Sequence, residues 1–92
     1  MRKKLNLVLK EYVRARLKEI KREEGYTLFD LAGKLWMERR TVAAILAGEH
    51  SISGLTTALF FVFLVKDPVK EIQNLRMLFL EAIQGTEDER VS

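Results

Sequence analysis

Two adjacent arginines, Arg39 and Arg40, open a short segment that continues Thr41, Val42, Ala43, Ala44, Ile45 and Leu46. A guanidinium stays charged at any physiological pH and offers its donors in a rigid fork. Such a pair suits phosphates, carboxylates and base edges, and it does not suit proton transfer. The other polar candidates around it are Thr27, Lys34, Glu38 and the sole histidine, His50. One histidine with no cysteine supports neither a metal site nor a nucleophile and base pair. There is no glycine-rich phosphate loop and no metal-ligand spacing. The sequence therefore predicts no enzyme, no catalytic residue, no metal and no cofactor.

The elements that must hold these residues are written in a chain of 92 residues, 48% of them hydrophobic, with one proline and no cysteine. That length predicts a single domain with a modest core. Absence of cysteine removes disulfides and cysteine-based zinc fingers. The net charge is +3, but it is unevenly placed. Residues 1–24 carry a net +5, residues 25–66 a net +1, and residues 67–92 a net −3. A basic end is what phosphate binding requires, although a solvated helix face has the same composition. Arg2, Lys3 and Lys4 could serve as a basic arm, or as a disordered start. Charged residues from Lys10 onward interrupt any signal-peptide pattern, and the apolar run Ala58–Val65 is too short to span a bilayer. The expectation is a cytoplasmic protein with no membrane contact.

Leu5, Leu9, Tyr12, Val13, Leu17 and Ile20 recur at three- and four-residue steps and predict a long first helix ending near Gly25. Thr27 and Asp30 resemble a capping box for a second helix over residues 28–35. A break at residues 36–38 precedes a third helix over residues 39–47, and Gly48 suits its C-terminus. A polar loop then leads to Ser53, a cap for a helix over residues 54–65, with Leu55, Ala58, Leu59, Val62 and Val65 spaced to face the core. The stretch 57–65 also has strand-like composition, but no partner strand is visible. Asp67 and Pro68 form a cap followed by a first-turn proline. They begin a fifth helix over residues 68–83, whose Val69, Ile72, Leu75, Leu78, Phe79, Ala82 and Ile83 are spaced to cover the fourth. Gly85 closes it, which leaves residues 1–85 as one all-α domain and residues 86–92 as a flexible tail.

Two short helices work as a reading unit when a small residue lets them cross closely and apolar residues lock both to the core. Ala32 is that small residue in segment 27–48, and Leu31, Leu35, Met37, Val42 and Ile45 are the locks. At this point the chain resembles a known family. Leu17, Ile20, Gly25 and Thr27, then Leu31-Ala32 with Lys34-Leu35, then Thr41-Val42, Ile45 and Gly48-Glu49 are similar to the phage-repressor/Cro (Xre-like) helix-turn-helix domain. The resemblance covers residues 17–65. It implies a compact five-helix domain, here with a long first helix and an added C-terminal one, encoded in a prokaryote, phage or plasmid. It also implies a double-stranded DNA partner, with Glu38, Arg39, Arg40, Thr41 and Ala44 in the major groove. Thr27, Ala47 and the loop around His50 would lie against phosphates, with Lys34 within reach of them. Three positions depart from the family pattern. Trp36 stands at the usual turn glycine, Leu28 at a frequent polar phosphate contact, and Glu38 at the usual Ser or Thr cap. With Ala43-Ala44 in mid-helix, base readout would rest on two arginines and on DNA shape.

Helix 54–65 is apolar on every side, and Met77 and Leu80 leave the fifth helix apolar on more than one face. A helix of that kind must be covered on all sides. The surplus predicts a homodimer through helices 54–65 and 68–83, with two recognition helices roughly 34 Å apart. The functional expectation is a transcriptional regulator, a dimeric repressor. The alternative is an antitoxin that represses its own operator and uses the apolar surface of the fifth helix to hold a toxin. Its string Ile45-Leu46-Ala47-Gly48 followed by Ser51-Ile52-Ser53 fits that reading. A third reading is a helical adaptor that binds no DNA.

Overall fold

Val13, Leu17 and Ile20 sit at the centre of the molecule, each fully or almost fully buried. They lie one helical turn apart on α1, Arg2–Glu24, the helix on which every other element is assembled. The computed structural model describes the backbone of residues 1–91 and the side chains of residues 1–85. Within these the chain is all-α. After α1 come α2 (Leu28–Leu35), α3 (Arg39–Leu46), α4 (Gly54–Leu59) and α5 (Pro68–Val91). A single π turn, Phe60–Leu64, extends α4.

Local chemistry sets most of these boundaries. Gly25 ends α1 at φ 69°, and the amide of Tyr26 donates back to the Lys21 carbonyl at 2.9 Å. This left-handed stop favours glycine because no Cβ collides with the backbone. Thr27 then caps α2 reciprocally: its Oγ1 accepts from the Asp30 amide, and the Asp30 carboxylate accepts from the Thr27 amide at 2.8 Å. Donation from the Thr27 amide, and from its side chain, holds the Asp30 carboxyl below the ordinary carboxylate value. Trp36, at φ 50° and ψ 48°, makes the turn out of α2 in the left-handed region, at the position where the resembled family usually has glycine. Ser53 caps α4 through the Thr56 amide.

The core joins Val13, Leu17 and Ile20 to Leu31, Ala32 and Leu35 of α2, Val42 and Ile45 of α3, and Phe60 and Leu64 of the π turn. Each such burial contributes roughly 1.5–3 kcal/mol against exposure. Ala32 is buried where α2 and α3 meet, and Met37 packs half-buried against the same cluster. Ile52 is 2% exposed, so the loop between α3 and α4 is pinned by a core side chain. The polar composition of that loop had concealed this anchor.

Three features differ from what the spacing predicts. Leu55 and Val62 are 70% and 66% exposed and Ala58 also faces outward, whereas Thr56, Phe60 and Leu64 turn inward. The Ser53 cap fixes the start of α4, and the π turn holds residues 56, 60 and 64 on one side. Leu55, Ala58 and Val62 are thus displaced from the core, whereas Leu59 packs against it and Val65 is buried as the spacing predicts. Secondly, α5 packs mainly along α1 and meets the fourth helix chiefly at its π turn. No described α5 residue joins the apolar core, and Val69 and Ile72 are 65% and 56% exposed. Thirdly, the α5 backbone passes through Gly85 to Val91. The flexible tail expected at 86–92 lies outside the residues whose side chains are described.

Leu75, Phe79, Ala82 and Ile83 of α5 are half-buried, and a polar cluster ties the helix to α1. Glu71 is buried and receives both the Nε and Nη2 of Arg16, at 2.9 and 2.5 Å, together with the Tyr12 hydroxyl. Burial alone would raise the Glu71 carboxyl, but its bonds from Arg16 and Tyr12 hold it below the ordinary value. Burial and the adjacent carboxylate push the Tyr12 hydroxyl up to about 12. Lys66 meets Glu24 at 2.6 Å, so α1 and α5 run antiparallel. No helix among the described residues is long and apolar enough to cross a membrane.

Candidate nucleic-acid interface

The α3 helix presents two different sides. Val42 and Ile45 are buried and Thr41 and Leu46 are half-buried on the inner one. Its outer side carries Arg39 and Arg40, both exposed, followed by Ala43, Ala44 and Ala47. Past the arginines this outer side is smooth, because alanine adds only a methyl group. The two guanidiniums make no ion pair among the described residues. Arg14 and Arg16, by contrast, are engaged within the fold. Free donors on one side of a short helix constitute an anion-facing surface.

The start of α3 opens onto a concavity of about 740 Å³ shared with the start of α2 and the end of α1. Arg39, Arg40, Glu38, Thr27 and Lys21 line it, so three cations face one carboxylate. Glu38 occupies the N-cap of α3 without bonding an α3 amide through its side chain. Glu38 is exposed and lines the concavity beside the two arginines.

The predicted residues divide on this surface. Thr27, Glu38, Arg39 and Arg40 come together in the concavity. Ala44 lies on the same outer side of α3 but is half-buried, and its carbonyl accepts from the Glu49 and His50 amides. Thr41 turns toward the half-buried side. Lys34 is placed elsewhere: its ammonium lies 5.1 Å from the centre of the Tyr26 ring, in a separate hollow with Glu24 and Asp30. His50 sits beyond the far end of α3, with Nδ1 2.7 Å from the Ser51 carbonyl oxygen.

Two contributors had escaped sequence reading. Lys21 lines the concavity from α1, and Phe29, 70% exposed, forms its rim on α2. Neither stands out by type or spacing, since Lys21 is one of nine basic residues in the first 24. Only the passage of α1 alongside α3 selects it. That passage is tied down by Arg14, whose Nε donates to the Ile45 carbonyl at 2.9 Å.

A second exposed feature adjoins the site. Trp36 meets Phe63 edge-on, with ring centres 5.4 Å apart, and the two are 70% and 57% exposed. Among the described residues no group of three His, Asp or Glu is placed to hold a metal ion.

No family model matches the chain, and no curated protein or solved structure matches it either. The chemistry of the site itself therefore carries the functional reading.

Proposed function

We propose that this protein is a double-stranded DNA-binding transcriptional regulator that lays α3 in the major groove and acts as a homodimer. The observation that carries the reading is the pair Arg39 and Arg40, exposed and unpaired at the start of a helix whose outer side is otherwise alanine. A guanidinium fork on a guanine edge is worth roughly 1–3 kcal/mol of discrimination. The alanines let the helix approach closely and offer methyl groups to thymine methyls. Glu38 can accept from a cytosine amino group, and Lys21 and Thr27 flank α3 where phosphates would run. Each half-site would then combine a guanine under the arginines with thymines under Ala43, Ala44 and Ala47.

Dimerisation is supported by the outer face of α4. Residues 53–65 contain no charge, and Leu55, Ala58, Val62 and Phe63 are all exposed. A monomer gains nothing by leaving such a face in water. Two-fold pairing there would repeat α3 one DNA turn away, roughly 34 Å.

Selection from a random duplex library at moderate salt tests both parts of the reading. The wild type is expected to enrich a two-fold motif, and Arg39→Ala with Arg40→Ala to lose it while keeping its helical circular dichroism. An unchanged motif from that variant removes these arginines from the site. Absence of any salt-dependent DNA binding by the wild type removes the DNA function and leaves the adaptor reading.

The antitoxin alternative is favoured by a specific feature, the aromatic pair Trp36 and Phe63 beside the concavity. An exposed edge-on pair of this size is suited to a protein partner. Co-expression with the product of the adjacent reading frame separates the two: an antitoxin co-purifies with it, and a free-standing repressor does not.

A further inference from the structure

We infer that DNA contact continues past α3 along a basic edge of α1, in which Lys3, Lys10 and Lys18 grip phosphates. This rests on the DNA-binding reading and extends its site.

Lys3, Lys10, Arg14, Lys18 and Lys21 follow one another at steps of seven, four, four and three residues. At 3.6 residues per turn these steps keep all five on one side of α1. Two contacts show which side it is. Arg14 donates to the Ile45 carbonyl near the end of α3, and Lys21 lines the concavity with Arg39 and Arg40. The edge is thus continuous with the recognition surface, and α1 runs antiparallel beside α3. The opposite side of α1 is different: Arg16 there is spent on Glu19 and Glu71, against α5. The basic edge also carries the exposed Leu7 and, at its margin, Glu11, which pairs with Arg14. Lys3 and Lys18 are exposed, Lys10 is half-exposed, and none of the three makes an ion pair among the described residues. A row of uncompensated ammonium groups repels itself, and a polyanion relieves that repulsion. From Lys3 to Lys21 the edge spans about 27 Å, and about 16 Å of it lies beyond Arg14. At 3.4 Å per base pair along a strand, that excess reaches about five base pairs outside the groove that α3 would occupy. A row with no aromatic residue suits backbone phosphates rather than bases.

The test compares the wild type, Lys3→Gln/Lys10→Gln/Lys18→Gln, and Arg39→Ala/Arg40→Ala. Each is titrated with the wild-type selected duplex, once trimmed to the motif and once with about ten flanking base pairs on each side, across about 50 to 200 mM salt. The wild type is expected to prefer the flanked duplex. The triple variant is expected to select the same motif, to lose that preference, and to lower the log–log salt slope by roughly 0.9 for each phosphate contact removed. Glutamine keeps helix propensity; should helicity nevertheless fall, Lys18→Gln alone, at an exposed position, repeats the comparison. An unchanged slope and an unchanged preference for flanks overturn the inference while the DNA reading stands. Wild-type protein that binds neither duplex overturns both. Capture of the wild type by phosphatidylserine vesicles, lost in the triple variant while DNA binding stays unchanged, overturns it in favour of a membrane surface.

Discussion

Arg14 on α1 donates from Nε to the carbonyl oxygen of Ile45 at 2.9 Å, and the Gly48 amide donates to the same oxygen at 3.1 Å. The last turn of α3 is thereby tied both to its own loop and to the longest helix of the core. A short helix has little stability of its own, so its direction is set by such ties and by its buried residues.

Replacing Arg14 with methionine keeps the stem but removes the donor. The expected loss in a urea titration is about 1–2 kcal/mol. Affinity for the selected motif should fall further than affinity for random duplex, because α3 loses its fixed angle and not its charge. Equal losses on both duplexes would assign Arg14 a phosphate contact in place of a positioning role.

The buried cluster of Tyr12, Arg16 and Glu71 makes the seating of α5 pH-dependent. The Glu71 carboxyl lies below its ordinary value of 4.5, so its contribution is present above that pH and is lost as pH falls through the lower folded value. The Tyr12 hydroxyl is raised from 10.0 to about 12, so its contribution is present below pH 10 and is lost on the way to about 12. Resistance to urea should decline at both ends. Glu71→Gln should flatten the acid decline and cost about 1–3 kcal/mol at neutral pH, and Tyr12→Phe should flatten the alkaline one.

Trp36 pays a left-handed backbone penalty where glycine pays none. Trp36→Gly and Trp36→Ala both delete the contact with Phe63, so their difference isolates the backbone. The glycine variant should be more stable than the alanine variant by about 1 kcal/mol in urea. Equal midpoints would mean that the turn relaxes out of the left-handed region when the ring is removed.

Leu55 and Val62 are mostly exposed, so charge placed there should not unfold the subunit. Leu55→Glu with Val62→Glu is expected to leave the helical signal intact, to sediment as a monomer at micromolar concentration, and to bind a two-fold site as weakly as a half-site. A variant that remains dimeric would move the interface to α5, where Val69, Ile72, Met77 and Leu80 are exposed apolar positions.

Much of the fold was legible before any coordinates. The α2 boundaries, the capping box of Thr27 and Asp30, the turn at residues 36–38, and the buried Ala32, Val42 and Ile45 all follow from interactions within a few residues. Arg40 was legible for the same reason, since helix periodicity places it opposite Val42 and Ile45, and Arg39 by its place at the exposed first turn of α3. Lys34 and Lys21 show the limit. Both are single lysines near the motif, and nothing local distinguishes the one beside Tyr26 from the one beside the arginines.

Caps, turns and the three- to four-residue apolar rhythm determined that this chain makes five helices, and which residues lie together on each helix in the motif. Those are short-range properties, because a cap or a helix face is defined by the chain's own neighbours. The exposure of Leu55, Ala58 and Val62, the burial of Ile52, the polar seat of Glu71 against Arg16, and the passage of Lys21 to the side of α3 were decided only by the tertiary structure. Each depends on which distant surfaces meet. Phe60 and Val62 are equally apolar, and only the space left by Leu17 and its neighbours determines which of the two is buried.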